Sequence, residues 1–239
     1  MAKFIIKKRK KVIEIEMPPV IGISGLSRCG KDTFAYYLAR KLRKMGLISM
    51  KVSLADPIKD ALDPILKRDF GISAFTNDNK EKDFNRPLLV ANGTDLGRKK
   101  DENFWIDKLK AKVARNTAKN IITIISDVRH LNEVKWIQDQ GGYVIHVTKI
   151  NQKPANFQER YHNPIVKRIA NYRVRWREFK NHAEDAERVC QFQLFDLFQK
   201  NNWSTYGKFN WYEYHQKNKN KVVDVMPPLP LISENHDGS

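Results

Sequence analysis

The feature that most constrains the fold of this chain is a glycine-bearing loop between an apolar run and an amphipathic segment. The loop extends from Gly25 to Thr33 with the spacing G-x-x-x-x-G-K. Val20 to Ser24 before it form a short apolar run that is typical of a buried strand. After the loop, apolar residues recur at helical spacing: Phe34, Leu38, Leu42 and Met45. The order strand, loop and helix predicts a phosphate-binding loop.

Strands and helices alternate along the rest of the chain, which predicts an α/β protein with a parallel sheet and helices on both faces. Strands are predicted over 47–54, 121–126, 143–148 and 191–198, and helices from Asp56 onward and over about 86–92, 103–118, 131–137 and 155–188. The polar segment 69–85 is predicted to be a loop, and Asn92 to Asp95 a turn.

The chain is strongly basic, with 44 Lys and Arg residues against 27 Asp and Glu and a net charge of +17. Such an excess predicts polyanionic partners, and a solvated surface that keeps the protein soluble is the alternative. Residues 1–12 hold six basic side chains and no acidic one. We therefore divide the chain into a basic amino-terminal extension at 1–18, a nucleotide-binding domain at 19–215 and a flexible, proline-containing tail at 216–239.

The composition also predicts where the protein works. Its two cysteines, Cys29 and Cys190, are too few for a disulfide framework, which indicates a reducing compartment. No apolar run approaches the roughly 20 residues that span a bilayer. We expect a cytoplasmic protein with no membrane contact.

The loop predicts an ATP site. Backbone N–H groups of a tight loop and the positive end of the following helix converge on phosphate oxygens. Lys31 would reach the β- and γ-phosphates, and a hydroxyl in the first helical turn would hold Mg²⁺. Asp32 stands where serine or threonine is usual, so this hydroxyl is Thr33, one place later. The candidate ATP ligands are Gly25, Ser27, Arg28, Cys29, Gly30, Lys31, Asp32 and Thr33.

Asp127 is the predicted second half of this site because it follows the apolar run 121–126. Ligands of open α/β sheets bind at the carboxyl ends of the strands. Asp127 would hold Mg²⁺, directly or through water, or accept a hydrogen bond from the substrate; capping of the following helix is the alternative. Arg129 would face the same ligand-binding position at the carboxyl ends of the strands. We predict Lys31, Asp127 and Arg129 as the catalytic residues, and Thr33 with Asp127 as the metal ligands.

The loop alone fits kinases, GTPases, motors and helicase loaders. A guanine-reading N-K-x-D motif is missing from the sequence, and the chain is short for a motor. Many arginines lie in the middle of the chain, and phosphoryl transfer between two anions requires positive groups around both. These features favour a kinase.

Several motifs together resemble the deoxynucleoside monophosphate kinases of tailed phages. The resemblance extends from about Val20 to Asn202. Its motifs are the loop, then L-A-D-P-I-K at 54–59, R-P-L-L at 86–89, N-G-T-D-L-G-R at 92–98, F-W-I at 104–106 and D-V-R-x-x-N-E at 127–133.

The resemblance implies a P-loop kinase fold with a helical lid at about 153–185, ATP and Mg²⁺ as cofactors, and phosphorylation of deoxynucleoside monophosphates to diphosphates for DNA synthesis. It implies the cytoplasm of an infected host cell if a phage encodes the chain. The acceptor would contact Asp56, Lys59, Arg86, Arg98, Trp105 and Arg129. Trp105 would border the base, with core packing as the alternative. Lid arginines would come from Arg160, Arg168, Arg173 and Arg175.

Two alternatives remain open. One is another small-molecule kinase with a delayed threonine, such as a phosphomevalonate or dephospho-coenzyme A kinase. The other is a nucleic-acid-binding ATPase or replication accessory factor, supported by the basic residues and by six aromatic rings within 203–214. A weak nucleic-acid or replication-complex contact through the basic extension, and a homodimer, are further expectations.

Overall fold

The computed structural model describes residues 1–8, 11–179 and 182–203. The chain divides into two units, Met1–Thr205 and Tyr206–Ser239. The second unit, and with it the predicted tail and most of the aromatic cluster, lies outside the described residues. Within the described part, no helix has both the length and the apolar character needed to cross a membrane.

The described residues form seven strands and seven α-helices. In chain order they are β1 (Ala2–Lys8), β2 (Lys11–Met17), β3 (Val20–Ser24), α1 (Lys31–Met45), β4 (Ile48–Val52), α2 (Asp56–Phe70), α3 (Asn79–Val90), α4 (Phe104–Ala118), β5 (Ile121–Val128), α5 (Leu131–Asp139), β6 (Tyr143–Lys149), α6 (Phe157–Ile169), β7 (Tyr172–Trp176) and α7 (His182–Lys200). A π-helical segment, Ala91–Arg98, follows α3.

Five strands form one parallel sheet in the order β4-β5-β3-β6-β7. The central strand, β3, is buried along its whole length. From β3 the chain moves outward to β4, returns through β5 and crosses to β6 on the other side. Ligands of such sheets bind beyond the carboxyl end of the strand where the order reverses. That position is the loop after β3.

Apolar clusters cover both faces of the sheet. On one face, α1 packs through Phe34 and Leu38 against the sheet and α7. On the other face, a second buried cluster contains Ile106 of α4, Ile137 of α5 and Val144 of β6. The predicted α/β fold with helices on both faces is therefore confirmed.

The predicted amino-terminal extension is an antiparallel hairpin, β1–β2. Phe4, Ile6, Ile15 and Met17 are buried in the same cluster as α1. The strands of the extension are thus part of the folded core.

The predicted loop over 69–85 is wrong in its second half, because α3 begins at Asn79. Asp78 is the N-cap, and its carboxylate accepts hydrogen bonds from the backbone N–H groups of Lys80 and Glu81. Of the described side chains of α3, only Asn85 is buried, so the helix lacks the apolar stripe on which the prediction depended. The predicted turn at Asn92 to Asp95 is π-helical instead.

Two further predictions near the carboxyl end are wrong. The interval 155–188 is not helical throughout, since β7 completes the sheet with Val174 and Trp176 buried and Arg173 and Arg175 exposed. The predicted strand at 191–198 is part of helix α7. Buried residues of α7 recur at helical spacing, namely Ala186, Cys190, Leu194 and Leu197.

Candidate active site

Two glycines allow the loop after β3 to turn tightly. Gly25 and Gly30 have φ angles of 138° and 95°, in the region that favours glycine. A Cβ at Gly25 would lie 2.3 Å from the carbonyl oxygen of Val147, and one at Gly30 would lie 2.7 Å from the ring of Trp176. Neither position accepts a side chain in this conformation.

Lys31 lies at the first position of α1, directly under the loop. Its ammonium donates hydrogen bonds to the carbonyl oxygens of Gly25 at 3.0 Å and Leu26 at 2.6 Å. An ammonium has three donors, so one remains for an anion. Burial lowers the pKa of Lys31, and the positive charge of Arg129 lowers it further. An anion bound between these two groups would relieve both effects.

Cys29 and Trp176 hold the loop against the sheet. The thiol of Cys29 donates to the carbonyl oxygen of Val147 at 3.3 Å, and the indole N–H of Trp176 donates to the carbonyl oxygen of Cys29 at 2.9 Å. Burial raises the pKa of the Cys29 thiol, which makes it a packing group. Sequence reasoning missed Trp176, whose only signal was the alternation of β7.

Asp127 fixes the segment between β4 and α2. Its carboxylate accepts hydrogen bonds from the hydroxyl of Ser53 at 2.5 Å and from the backbone N–H groups of Leu54 at 2.8 Å and Ala55 at 3.0 Å. Burial raises the pKa of Asp127, and these hydrogen bonds oppose the rise. The N-cap residue of α5 is His130, so the alternative that Asp127 caps this helix is wrong.

Glu133 joins two arginines that are distant in the sequence. It is 1% exposed; one carboxylate oxygen accepts from the backbone N–H groups of Arg129 at 2.6 Å and His130 at 2.9 Å. The other oxygen pairs with the guanidinium of Arg98. Our list of site residues missed Glu133, although it closes the D-V-R-x-x-N-E motif. Arg98 and Arg129 are therefore placed at one end of the sheet.

The carboxylate of Glu159, a residue of α6, binds to the phosphate-binding loop. Its Oε1 accepts from the backbone N–H of Ser27 at 3.0 Å and from the Ser27 hydroxyl at 2.5 Å. The same oxygen lies 3.7 Å from a guanidinium nitrogen of Arg129, and Oε2 accepts from the N–H of Ala155 at 3.0 Å. An anion here is thus shared between the loop and the arginine that follows β5.

Glu159 is ionised at neutral pH. It is 8% exposed, and burial alone would raise its pKa. The hydrogen bonds from Ser27 and Ala155 and the charge of Arg129 outweigh burial, so the pKa is lowered. A cleft of about 120 Å³ adjoins this carboxylate, and its lining includes Gly25 and His162. Nothing in the sequence motifs identified Glu159.

Thr33 and Asp32 lie in the first turn of α1, where Thr33 is half-buried and Asp32 is exposed. Asp32 forms an ion pair with Lys51. Among the described residues, no group of three or more His, Cys, Asp or Glu side chains could hold a metal alone. Mg²⁺ at phosphoryl-transfer sites takes few protein ligands, all oxygen, and the rest from phosphates and water. The hydroxyl of Thr33 and the carboxylate of Asp127 fit this chemistry.

Three other predicted acceptor residues contact groups other than Ser27, Glu159 and Arg129. Asp56 accepts from the backbone N–H of Ser53 at 2.9 Å, and the ammonium of Lys59 lies 5.5 Å from the centre of the Phe75 ring. Arg86 forms an exposed ion pair with Asp83 at 3.2 Å.

Trp105 is a core residue. It is 4% exposed, and its indole N–H donates to the carbonyl oxygen of Gly93 at 2.7 Å. In this position the ring has no open face on which a base could stack, which favours the packing alternative.

The predicted lid arginines lie on two elements. Arg160 and Arg168 are exposed on α6, and Arg175 is exposed on β7. Arg173, also on β7, donates to the carbonyl oxygens of Lys167 at 2.8 Å and Arg168 at 2.7 Å, and so caps the carboxyl end of α6. The lid function of these residues stays a prediction.

The doubly wound sheet and the loop after its central strand define a P-loop nucleotide-binding protein. Residues 23–142, half of the chain, match the model of the phosphomevalonate kinase family. The chain therefore belongs to this family. The matched range extends from the end of β3 to the residue before β6, so α6 with Glu159 lies outside it.

A curated relative and several solved structures are similar to the chain. Phosphomevalonate kinase of Drosophila melanogaster is 28% identical over 126 residues, which cover 53% of this chain but only 63% of the fly protein. Dephospho-CoA kinase from Campylobacter jejuni is 14% identical, with 77% of this chain and 100% of that chain covered and a TM-score of 0.44. For shikimate kinase from Bacteroides thetaiotaomicron the identity is 13%, the coverage 75% and 97%, and the TM-score 0.39.

These findings confirm the coarser part of the sequence-based assignment, a P-loop kinase family. They match the alternative named above, a small-molecule kinase similar to phosphomevalonate kinases, better than the resemblance to phage deoxynucleoside monophosphate kinases.

Proposed function

We propose that this protein transfers the γ-phosphate of ATP to the phosphate monoester of a small molecule and forms a diphosphate. The proposal rests on the position of the Glu159 carboxylate, which both the phosphate-binding loop and Arg129 contact. The backbone N–H of Ser27 in the phosphate-binding loop and the guanidinium of Arg129 meet one carboxylate oxygen there. A phosphoryl group in transfer requires such an arrangement, with donors from the nucleotide side and a cation from the opposite side.

The residues of this chain would act mainly by position and charge. Phosphoryl transfer has a loose transition state, so catalysis depends on alignment and on neutralising charge on the phosphoryl oxygens. Lys31 and Arg129 would supply that charge. The acceptor is already an anion and requires little help from a general base, which agrees with the engagement of Asp127 in hydrogen bonds to the segment before α2.

ATP would bind with its phosphates on residues 25–33 and its nucleoside beyond β6. A cleft of about 550 Å³ lies at the carboxyl ends of β6 and β7 and is lined by Lys149, Asn151, Gln152 and Arg177, among others. That is the same edge of the sheet as the phosphate-binding loop. Mg²⁺, held by Thr33 and by Asp127 directly or through water, would neutralise charge on the β- and γ-phosphates.

The family match makes phosphomevalonate the first acceptor to test. Deoxynucleoside monophosphates are the second, because they present the same phosphate monoester and the motifs around Arg98 and Arg129 resemble those of their kinases. Burial of Trp105 removes the residue we expected to border a base. Arg98, fixed by Glu133, would contribute positive charge on the acceptor side in either case.

The test is ADP release from ATP and Mg²⁺ with phosphomevalonate as acceptor. We expect Lys31→Ala and Arg129→Ala to lose roughly 100- to 1000-fold in kcat, as removal of one donor to a transition-state anion typically does. The matched controls are Lys112→Ala and Arg115→Ala, exposed on α4, which should leave kcat unchanged. Folded Lys31→Ala and Arg129→Ala variants that retain full activity would overturn the proposed site.

A further inference from the structure

The cleft of about 120 Å³ beside the phosphate-binding loop is lined by the end of β5 and by helix α6. Arg129 and His130, which follow β5, and His162 of α6 supply polar groups to it. Its apolar lining comes from α3, β5 and α6: Val90, Val128 and Val166. The volume equals that of roughly four water molecules at about 30 Å³ each. The cleft therefore has room for one compact polar group, such as a phosphate with its four oxygens.

Two imidazole rings meet in this cleft. The ring centres of His130 and His162 are 4.4 Å apart, and the ring of Tyr161 lies 4.9 Å from that of His162. Nε2 of His162 lies 3.1 Å from the side-chain oxygen of Gln158. Because this oxygen only accepts, Nε2 carries the proton of the neutral ring and Nδ1 is left as an acceptor. Nδ1 of His162 can therefore donate to an anion only when the ring is protonated.

Burial and the charges of two arginines favour the neutral form of both rings. Burial lowers the pKa of His130 to about 3, and the charges of Arg98 and Arg129 add to this effect. Burial also lowers the pKa of His162, as does Arg98, whereas Glu133 raises it. An anion in the cleft would oppose the charge of the arginines and raise the pKa of His162. Anion binding and proton uptake are thus coupled at this ring.

The other charges on the lining of the cleft leave room for an anion. Of the described residues that line it, Glu159 alone carries a carboxylate. Its two oxygens are engaged by Ser27 and Ala155, and one of them lies beside Arg129. The side chain of Arg129 is 49% exposed, and a guanidinium has five N–H donors, so donors remain for a second anion. Protonation of His162 would add the further positive charge that a dianion requires.

We propose that this cleft binds the phosphate monoester of the acceptor, with the guanidinium of Arg129 and the protonated ring of His162 as donors. The proposal rests on the proposed function and adds His162 to its acceptor-binding residues. The three valines of the lining would border the carbon atoms next to the ester oxygen. Helix α6 lies outside the range that the family model matches. The contact with His162 therefore goes beyond what the family match assigns.

The first test is steady-state kinetics of His162→Gln with ATP, Mg²⁺ and phosphomevalonate. The KM of the acceptor should rise roughly tenfold, because a hydrogen bond to a charged group is lost, with a smaller change in kcat and none in the KM of ATP. From about pH 7 to about pH 8.5, where a phosphate monoester stays dianionic, the acceptor KM should rise in the unsubstituted protein and stay constant in the variant. Lys167→Gln, at an exposed position of the same helix, is the matched control and should leave both KM values unchanged. A raised KM of ATP in place of the acceptor KM would assign the cleft to the nucleotide and overturn the proposal.

The second test requires no turnover. The ring signals of His162 are followed by NMR in a pH titration with and without sulfate, a probe that stays dianionic. Sulfate should raise the pKa of His162 by about 1, the shift that a tenfold preference for the protonated ring produces, and should leave His146, buried beside Ser24, unchanged. This shift without phosphorylation of any monoester would overturn the proposed function but keep an anion site in the cleft. Turnover of phosphomevalonate with an unmoved His162 signal and an unchanged acceptor KM in His162→Gln would overturn the site and keep the proposed function.

Discussion

Removing the carboxylate of Glu159 should make ATP bind more tightly. In the structure this side chain accepts hydrogen bonds from the N–H and the hydroxyl of Ser27. If ATP is to use these donors, the carboxylate must leave them. Hydrogen bonds to a charged acceptor contribute about 1.5–3 kcal/mol each. Hydration of the released carboxylate is already part of that net value, so we take the lower end, about 1.5 kcal/mol, for the pair as a whole.

That value corresponds to roughly a tenfold decrease in the Kd of ATP for Glu159→Ala. Glu159→Gln keeps an acceptor oxygen but loses the charge, so an intermediate decrease is expected. The measurement is isothermal titration calorimetry with ATP and Mg²⁺ and no acceptor. Glu16→Ala, an exposed carboxylate of the hairpin, is the matched control. An unchanged or increased Kd in folded Glu159→Ala would refute the competition between carboxylate and phosphate.

Two predictions concern stability. Burial lowers the pKa of His146 from 6.5 to about 4. Between these two pH values the unfolded chain therefore binds more protons than the folded chain. His146 by itself should therefore lower the free energy of unfolding by about 2 kcal/mol from pH 7.5 to pH 5. Urea unfolding at both pH values should show a smaller fall for His146→Asn; an identical fall would contradict this assignment. Trp105→Phe leaves the carbonyl of Gly93 without its partner, which should cost about 1–3 kcal/mol in urea unfolding. If Trp105→Phe instead raised the KM of the acceptor and left the stability unchanged, the predicted contact of Trp105 with a base would be supported.

The sequence predicted the centre of the fold because the signals there are local. An apolar run, a glycine loop and a helical stripe follow one another from Val20 to Met45, and β3 and α1 were both predicted. Strand β7 and helix α7 were not, since their apolar patterns are short or diluted by charged and aromatic residues. The second half of the predicted loop 69–85 failed for a related reason: α3 begins at an Asp78 cap and buries little apolar surface.

The candidate site was only partly predictable. Lys31, Asp127 and Arg129 follow from motif spacing and from their positions at the carboxyl ends of strands. Glu159 lies 132 residues from Ser27 along the chain, and no local pattern connects them. Trp105 shows the converse, because its motif suggested a base contact while tertiary packing buries its ring.

The most direct test of the proposed function is ADP release from ATP and Mg²⁺ with a panel of acceptors. The panel contains phosphomevalonate, dephospho-coenzyme A, the four common deoxynucleoside monophosphates, their ribose counterparts and duplex DNA. The proposed function predicts rapid turnover with at least one small phosphate monoester and formation of its diphosphate. Turnover stimulated by DNA alone, with no monophosphate consumed, would contradict it.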